Sequence, residues 1–171
     1  TGMTSSGQFE GDFKAYNKSG ILTQEGTMSS DHYEGEIKKY NDQGNLFSIE
    51  NYKAGEPLGP QKYFHDNGQV ASEYVVGNKN ERTYLRYYHP NGKLSEESEL
   101  MNMNRVGLHK TYYPNGALET STELDDEGNA NGEHTEYYRN GIKCTYSASL
   151  NDPTYYYHHD GQICYSENKH K

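Results

Sequence analysis

Short runs rich in aromatic and β-branched residues alternate with polar turns along this chain, and the alternation keeps a fixed beat. One skeleton recurs: an aromatic residue, three residues, glycine, one residue, then an aliphatic. It appears at Tyr16/Gly20/Leu22, Tyr40/Gly44/Leu46, Phe64/Gly68/Val70, Tyr88/Gly92/Leu94 and Tyr112/Gly116/Leu118. Weaker copies stand at Tyr137/Gly141, where Lys143 replaces the aliphatic, and at Tyr157/Gly161/Ile163. The glycines step by 24, 24, 24, 24, 25 and 20 residues, so the chain is an internal repeat. A second glycine precedes the first by nine positions at Gly11, Gly35, Gly59, Gly107 and Gly132, whereas Thr83 and Asp152 depart from the pattern.

The segments His89-Pro90-Asn91-Gly92 and Tyr113-Pro114-Asn115-Gly116 show what one repeat builds. Proline presets φ at the first central position, asparagine suits the second, and glycine accepts positive φ at the third, which is a type I turn closed by a glycine bulge. That loop places His89 opposite Lys93 and makes Tyr88 and Leu94 cross-strand neighbours on one side of a sheet. Each repeat is therefore predicted to be a β-hairpin, with the Tyr and Leu positions forming a core stripe when hairpins stack. The predicted fold is all-β: an elongated, curved antiparallel sheet of about seven tandem hairpins. Residues 1–8 are expected to be a flexible polar segment, residues 9–171 a single repeat domain, and the polar stretch 166–171 a fraying end.

Composition modifies this picture. Only 31% of the residues are apolar, which alone would suggest disorder, but 18 tyrosines supply large rings with polar tips and point to a thin aromatic core. The net charge of -9 argues against phosphate backbones or anionic lipid as the main ligand and suits a basic protein partner. No run approaches the roughly 20 apolar residues of a membrane-spanning helix. A cytoplasmic location is expected if Met3 is the natural start, and a periplasmic or envelope-associated one if an export signal preceded Thr1. Cys144 and Cys164 hold equivalent places in adjacent repeats, about 9.5 Å apart if each repeat adds two strands, so free thiols are expected.

Several side-chain groups are candidates for function. Lys14, Lys38, Lys62, Arg86 and Lys110 fall in one register and read either as a ladder that grips phosphates or an acidic partner segment, or as a solvated row offset by Glu25, Glu50, Glu73 and Glu97. Tyr63, Tyr87 and Tyr156 precede the repeat aromatics, so alternation sends them to the opposite side, where they could serve an interface or cover a bare sheet. His158, His159 and His170 form the densest histidine group; on a strand, His158 and His159 would point to opposite faces and could not share an ion. The run from Asp125 to Asn129 lacks the spacing of a calcium loop and reads as a turn. No phosphate-binding loop, nucleophile elbow or dinucleotide fingerprint occurs, so neither an enzyme nor a cofactor or metal site is predicted.

The stretches Gly107–Leu118 (GLHKTYYPNGAL) and Gly35–Leu46 (GEIKKYNDQGNL) resemble the MORN repeat in its bacterial variant form, and the resemblance runs from about Gly11 to the end of the chain. Chains built almost wholly of such repeats are similar to the YwqK-type antitoxin family, which implies a partner among polymorphic toxins. On that resemblance the expected role is a non-enzymatic antitoxin or immunity protein that occludes a basic toxin domain through Tyr63, Tyr87, Tyr156, Glu73, Glu97 and Glu99. The alternative is an envelope-associated or structural scaffold with many protein contacts. Lipid binding, which the name of the repeat also suggests, is disfavoured by the charge and by the absence of a basic amphipathic pattern.

Overall fold

The His89 N–H donates to the Lys93 carbonyl at 2.8 Å, and the Gly92 N–H donates to the His89 carbonyl at 2.8 Å. The same pair of bonds closes seven further turns, at Asn17, Asn41, His65, Tyr113, Asp125, Tyr138 and His158. The glycine of each loop takes a positive φ, between 79° and 89°. The register opposes Tyr88 to Leu94 and Tyr112 to Leu118, as that loop requires. Side chains of the loops reinforce them: Asn17 Oδ1 accepts from the N–H groups of Ser19 and Ile21, and Asn91 Oδ1 from that of Lys93.

The computed structural model describes residues 2, 3, 7–149 and 151–167, with Gly2, Met3 and Glu167 described by backbone alone. It divides into two units, Thr1–Asn78 and Lys79–Lys171. The first contains β1 (Gly2–Met3), β2 (Phe9–Tyr16), β3 (Leu22–Ser29), β4 (His32–Tyr40), β5 (Leu46–Lys53), β6 (Glu56–Phe64) and β7 (Val70–Val76). The second contains β8 (Arg82–Tyr88), β9 (Leu94–Met101), β10 (Asn104–Tyr112), β11 (Leu118–Leu124), β12 (Ala130–Tyr137), β13 (Lys143–Ser147), β14 (Thr154–Tyr157) and β15 (Ile163–Glu167). Within each unit every strand pairs antiparallel with the next, and no helix occurs among the described residues. The all-β hairpin architecture is thus as the repeat pattern predicts. Part of the N-terminal segment is a strand, with Gly2 and Met3 opposite Glu10 and Phe9.

Between hairpins the chain turns in a second way. Ser30-Asp31, Ala54-Gly55 and Asn102-Met103 all have positive φ, which makes two-residue type I′ turns. The run from Asp125 to Asn129 is instead a three-residue turn with Gly128 at φ 87°. Beyond these turns the ladder is interrupted by large bulges. Gly35, Glu36 and Ile37 together face Gly26, and Gly107, Leu108 and His109 face Ser98. The earlier glycine of each repeat supplies the left-handed φ for this bulge, at 73° for Gly35 and 64° for Gly107.

Burial corrects the expected core. The repeated Tyr and Leu positions are mostly half-buried, and Tyr16 and Ile163 remain 58% and 60% exposed. The repeat glycines Gly20, Gly44, Gly68, Gly92, Gly116, Gly141 and Gly161 are all exposed, in turns that lie outside the strands and outside any packed stripe. They recur with the Tyr and Leu positions for a different reason: they have no side chain to bury, and their left-handed φ closes each hairpin tip, where the chain meets water. In the first unit the enclosed positions lie on the face opposite the Tyr and Leu stripe, where Ile37 and Ser48 are fully buried and Gln61 nearly so. The physical reason is local: Gly26 has no side chain, so Ile37 packs over it. The Tyr and Leu stripe, by contrast, shares its face with charged side chains.

In the second unit the hairpin tips are tied to one another. His89 Nε2–H donates to the Tyr112 carbonyl, Tyr113 Oη–H to the Tyr137 carbonyl and Tyr138 Oη–H to the Tyr157 carbonyl, each at 2.8 Å. Asn91 Nδ2 reaches the Pro114 carbonyl at 2.8 Å in a parallel tie.

Candidate interaction faces

Period-two alternation gives each strand two faces, and cross-strand register carries each face across the unit. On one face Lys14, Glu25 and Lys38 stand side by side in the first unit, and Arg86, Glu97 and Lys110 in the second. Lys14 Nζ lies 3.1 Å from Glu25, Lys62 3.6 Å from Glu73, and Arg86 and Lys110 4.0 and 3.6 Å from Glu97. The basic column is therefore an offset ladder, the second of the two readings its spacing allowed. Tyr40 Oη–H donates to Glu25 Oε1 at 2.6 Å, and Tyr112 Oη–H to Glu97 Oε1 at 2.6 Å. The hydrogen bond to Glu25 pushes the Tyr40 phenol up to about 12, while Tyr40 and Lys14 hold the Glu25 carboxyl below its ordinary value. Burial and the bond to Glu97 likewise raise Tyr112.

The ladder lines equivalent hollows in the two units. One, of about 640 Å³, is bordered chiefly by polar side chains, those of Asp12, Lys14, Glu25, Thr27, Glu36 and Lys38. The other, of about 250 Å³, has Tyr84 and Leu108 in place of Asp12 and Glu36, beside Arg86, Glu97, Glu99 and Lys110. The Arg86 guanidinium sits 4.8 Å from the centre of the Tyr84 ring. Tyr84 and Leu108 are 36% and 46% exposed. Glu99 accepts from Arg82 Nη1 at 2.8 Å, and the same guanidinium reaches Asp126 at 2.8 Å.

The opposite face of the first unit holds a cluster that the sequence reading missed. Glu50, expected in the solvated acidic row, points to this other side and is 6% exposed. It accepts from Lys39 Nζ at 2.7 Å, Tyr52 Oη–H at 2.6 Å and Ser48 Oγ–H at 2.8 Å. The row failed for Glu50 because Lys38, its expected counter-ion, opposes Ile49, while Glu50 opposes Ile37 and Gln61. Burial pushes the Glu50 carboxyl up, but the bonds from Lys39, Tyr52 and Ser48 outweigh it and hold the group below its ordinary value.

The six expected contact residues do not gather on one surface. Glu73, Glu97 and Glu99 belong to the ladder face, each within reach of a cation. Tyr63 and Tyr87 belong to the opposite face, where they oppose Ser72 and Glu96, and Tyr156 opposes Thr145 and Tyr165. Tyr63 is half-buried between Phe47 and Tyr74, with ring centres 5.9 and 6.2 Å away. Tyr156 stacks on Tyr165 at 4.4 Å, and Tyr87 is 38% exposed. The aromatic residue that does accompany Glu97 and Glu99 is Tyr84. Its signal was Arg86, two positions along the same strand and hence on the same face.

His158 and His159 correct a further expectation, since both lie in the β14–β15 turn and not on a strand. The His159 ring stacks 3.8 Å from that of Tyr138, and His170 lies outside the described residues. Cys144 and Cys164 are free thiols on β13 and β15, the second of them exposed. Among the described residues no group of three or more His, Cys, Asp or Glu side chains is placed to hold a metal ion.

Four stretches of the chain, residues 33–54, 57–76, 84–102 and 105–124, match the MORN repeat variant family. They coincide with four consecutive hairpins, each running from one strand through a turn into the next. No curated protein matches the chain.

Proposed function

We propose that this array of MORN variant repeats is a non-enzymatic protein-binding module, and that its partner is a basic toxin domain whose active cleft it covers as an antitoxin or immunity protein. One observation carries the reading: the second unit presents a half-exposed patch of Tyr84, Arg86 and Leu108 flanked by Glu97 and Glu99. Tyrosine and arginine are the residue types that dominate binding energy at protein interfaces, and carboxylates at the rim steer a basic partner. The net charge of -9 extends that steering over the whole chain, and a nuclease or deaminase cleft supplies the opposite sign. The four family matches support a binding module in general and are silent on the partner. A cytoplasmic location belongs to the same proposal, since the toxin would have to be met inside the cell that makes it.

The experiment is a pull-down from the native host at two salt concentrations, with the tagged chain and its Tyr84→Ala and Glu99→Lys variants as bait. One stoichiometric basic partner, lost at high salt and depleted by both variants, is the expected result. A spread of envelope proteins that ignores both variants would instead identify a scaffold.

A further inference from the structure

The last hairpin departs from the others at one register position. Near each tip, the residue before the repeat aromatic opposes a residue of the returning strand, and the pair is Tyr63 and Ser72, Tyr87 and Glu96, or Thr111 and Thr120 in three earlier hairpins. Between β14 and β15 it is Tyr156 and Tyr165. Their rings stack with centres 4.4 Å apart and planes 11° from parallel, at the near limit of aromatic pairing. Tyrosine pairs elsewhere are looser: Tyr63 and Tyr74 lie 6.2 Å apart, Tyr146 and Tyr155 6.4 Å, and Tyr33 meets Tyr52 edge-on at 5.3 Å and 66°. Tyr165 is 53% exposed, so small solutes reach one side of the stack. The hairpin that carries it is also slight, with strands of four and five residues where β8 to β12 have seven to nine.

We propose that Tyr156 and Tyr165 are an oxidative cross-linking site, at which a small one-electron oxidant converts the pair to dityrosine and seals β14 to β15. Each phenol gives one electron to the oxidant and its hydroxyl proton to water, which leaves two tyrosyl radicals. A carbon–carbon bond then forms between ring carbons ortho to the two oxygens. The hydrogens on those carbons leave as protons, each oxygen takes a proton back from solvent, and both rings become aromatic again. The pair has lost two electrons and two protons overall. Contact decides where this happens. Phenoxyl radicals couple only when their ortho carbons meet, and near-parallel rings on directly opposed residues are held close before oxidation begins. Tyr33 and Tyr52 present an edge to a face, and the Tyr52 hydroxyl is fixed on Glu50 at 2.6 Å. Tyr16 is more exposed than Tyr165, at 58%, but no ring of the described residues stacks on it.

The test is photo-oxidation of the full chain, dilute and with the Cys144 and Cys164 thiols alkylated so that they consume no oxidant. Ruthenium tris-bipyridine is the oxidant, and persulfate takes up the two electrons and leaves as two sulfates. The expected product is a monomer two hydrogens lighter that shows dityrosine fluorescence. An Asp-specific protease cuts before Asp152 and Asp160, so the cross-link should join fragment 152–159 to fragment 160–171, whose one tyrosine is Tyr165. Tyr156→Phe and Tyr165→Phe keep an aromatic pair and should each lower the yield of that joined product tenfold or more, whereas Tyr155→Phe, Tyr157→Phe and Tyr16→Phe should not. A monomer without the cross-link, a cross-link spread over other tyrosines, coupling only between molecules, or an equal loss from Tyr155→Phe or Tyr157→Phe would each overturn the proposal. Circular dichroism of the alkylated chain and of the variants shows that a loss is not unfolding. The toxin-domain reading rests on the Tyr84 patch and is decided by its own pull-down, so either can fail alone.

Discussion

Tyr112 and Glu97 are joined by a 2.6 Å hydrogen bond that recurs three repeats earlier between Tyr40 and Glu25 at the same length. In each place one carboxylate accepts from a phenol and pairs with a cation of a neighbouring strand: Lys14 lies 3.1 Å from Glu25, and Arg86 and Lys110 lie 4.0 and 3.6 Å from Glu97. A bare row of like charges would destabilise the sheet, and this arrangement turns the row into a cross-brace. Tyr112→Phe should therefore weaken the second unit by about 2 kcal/mol, the usual worth of a hydrogen bond to a charged group. Urea unfolding of the variant checks this. In the intact protein, alkaline titration followed by tyrosinate absorbance should show Tyr40 ionising near 12, well after a phenol of ordinary value 10.0.

Glu50 ties acid sensitivity to the first unit. Its folded value is depressed, so its contribution is fully present above the ordinary value of 4.5 and is lost as the pH falls through the lower folded value. Glu50→Gln should remove that part of the acid dependence and lower stability at neutral pH by about 2 kcal/mol, because Lys39 loses its counter-ion while one third of it still meets water. Urea midpoints of both proteins between pH 3 and 7, roughly the range over which a carboxylate pair titrates, decide the point. Parallel pH curves for the two would count against it.

Gly26 is needed for space. A methyl group there would stand 2.9 Å from the Glu36 carbonyl oxygen and press on the Ile37 side chain that fills the position. Gly26→Ala is expected to cost about 1–3 kcal/mol as an overpacked site, with the loss confined to the first unit. Hydrogen exchange of the β3 and β4 amides would rise, and those of β11 and β12 would not.

Met103 is the reverse case. It sits at φ 67° in a type I′ turn after Asn102, a conformation that Gly adopts freely and a long side chain does not. Met103→Gly should stabilise the second unit by about 1 kcal/mol and raise its melting temperature by roughly 4–8 °C. It also removes a side chain that is 61% exposed, so little packing is lost.

The hairpins were legible in the sequence because their cause is local. Pro90-Asn91-Gly92 determines its own turn, and the turn determines that Tyr88 meets Leu94. The acidic run after Leu124 was legible as a turn for the same reason. Which face would be enclosed was not legible, because both faces of these strands carry tyrosine and charge, and alternation tells faces apart without ranking them. Glu50 was misplaced on that account: its burial depends on Lys39, Tyr52 and Ser48, three residues whose convergence needs the register of two ladders. The Tyr84 patch was hidden by the same blindness, since Tyr87 is its neighbour in sequence and its opposite in space. The glycine bulges had a visible residue and no visible purpose, because three residues facing one is a property of a pair of strands.

The ties between hairpin tips carry a mechanical consequence. In the second unit His89, Tyr113 and Tyr138 each fasten one tip to the backbone of the next, so a hairpin keeps its successor in place but has no hold on more distant ones. Load applied to the two ends of such a chain meets its fasteners in series. Under tension the unit should part like a zip, one tooth at a time, each tooth releasing roughly 80 Å of slack chain and passing the force to its neighbour.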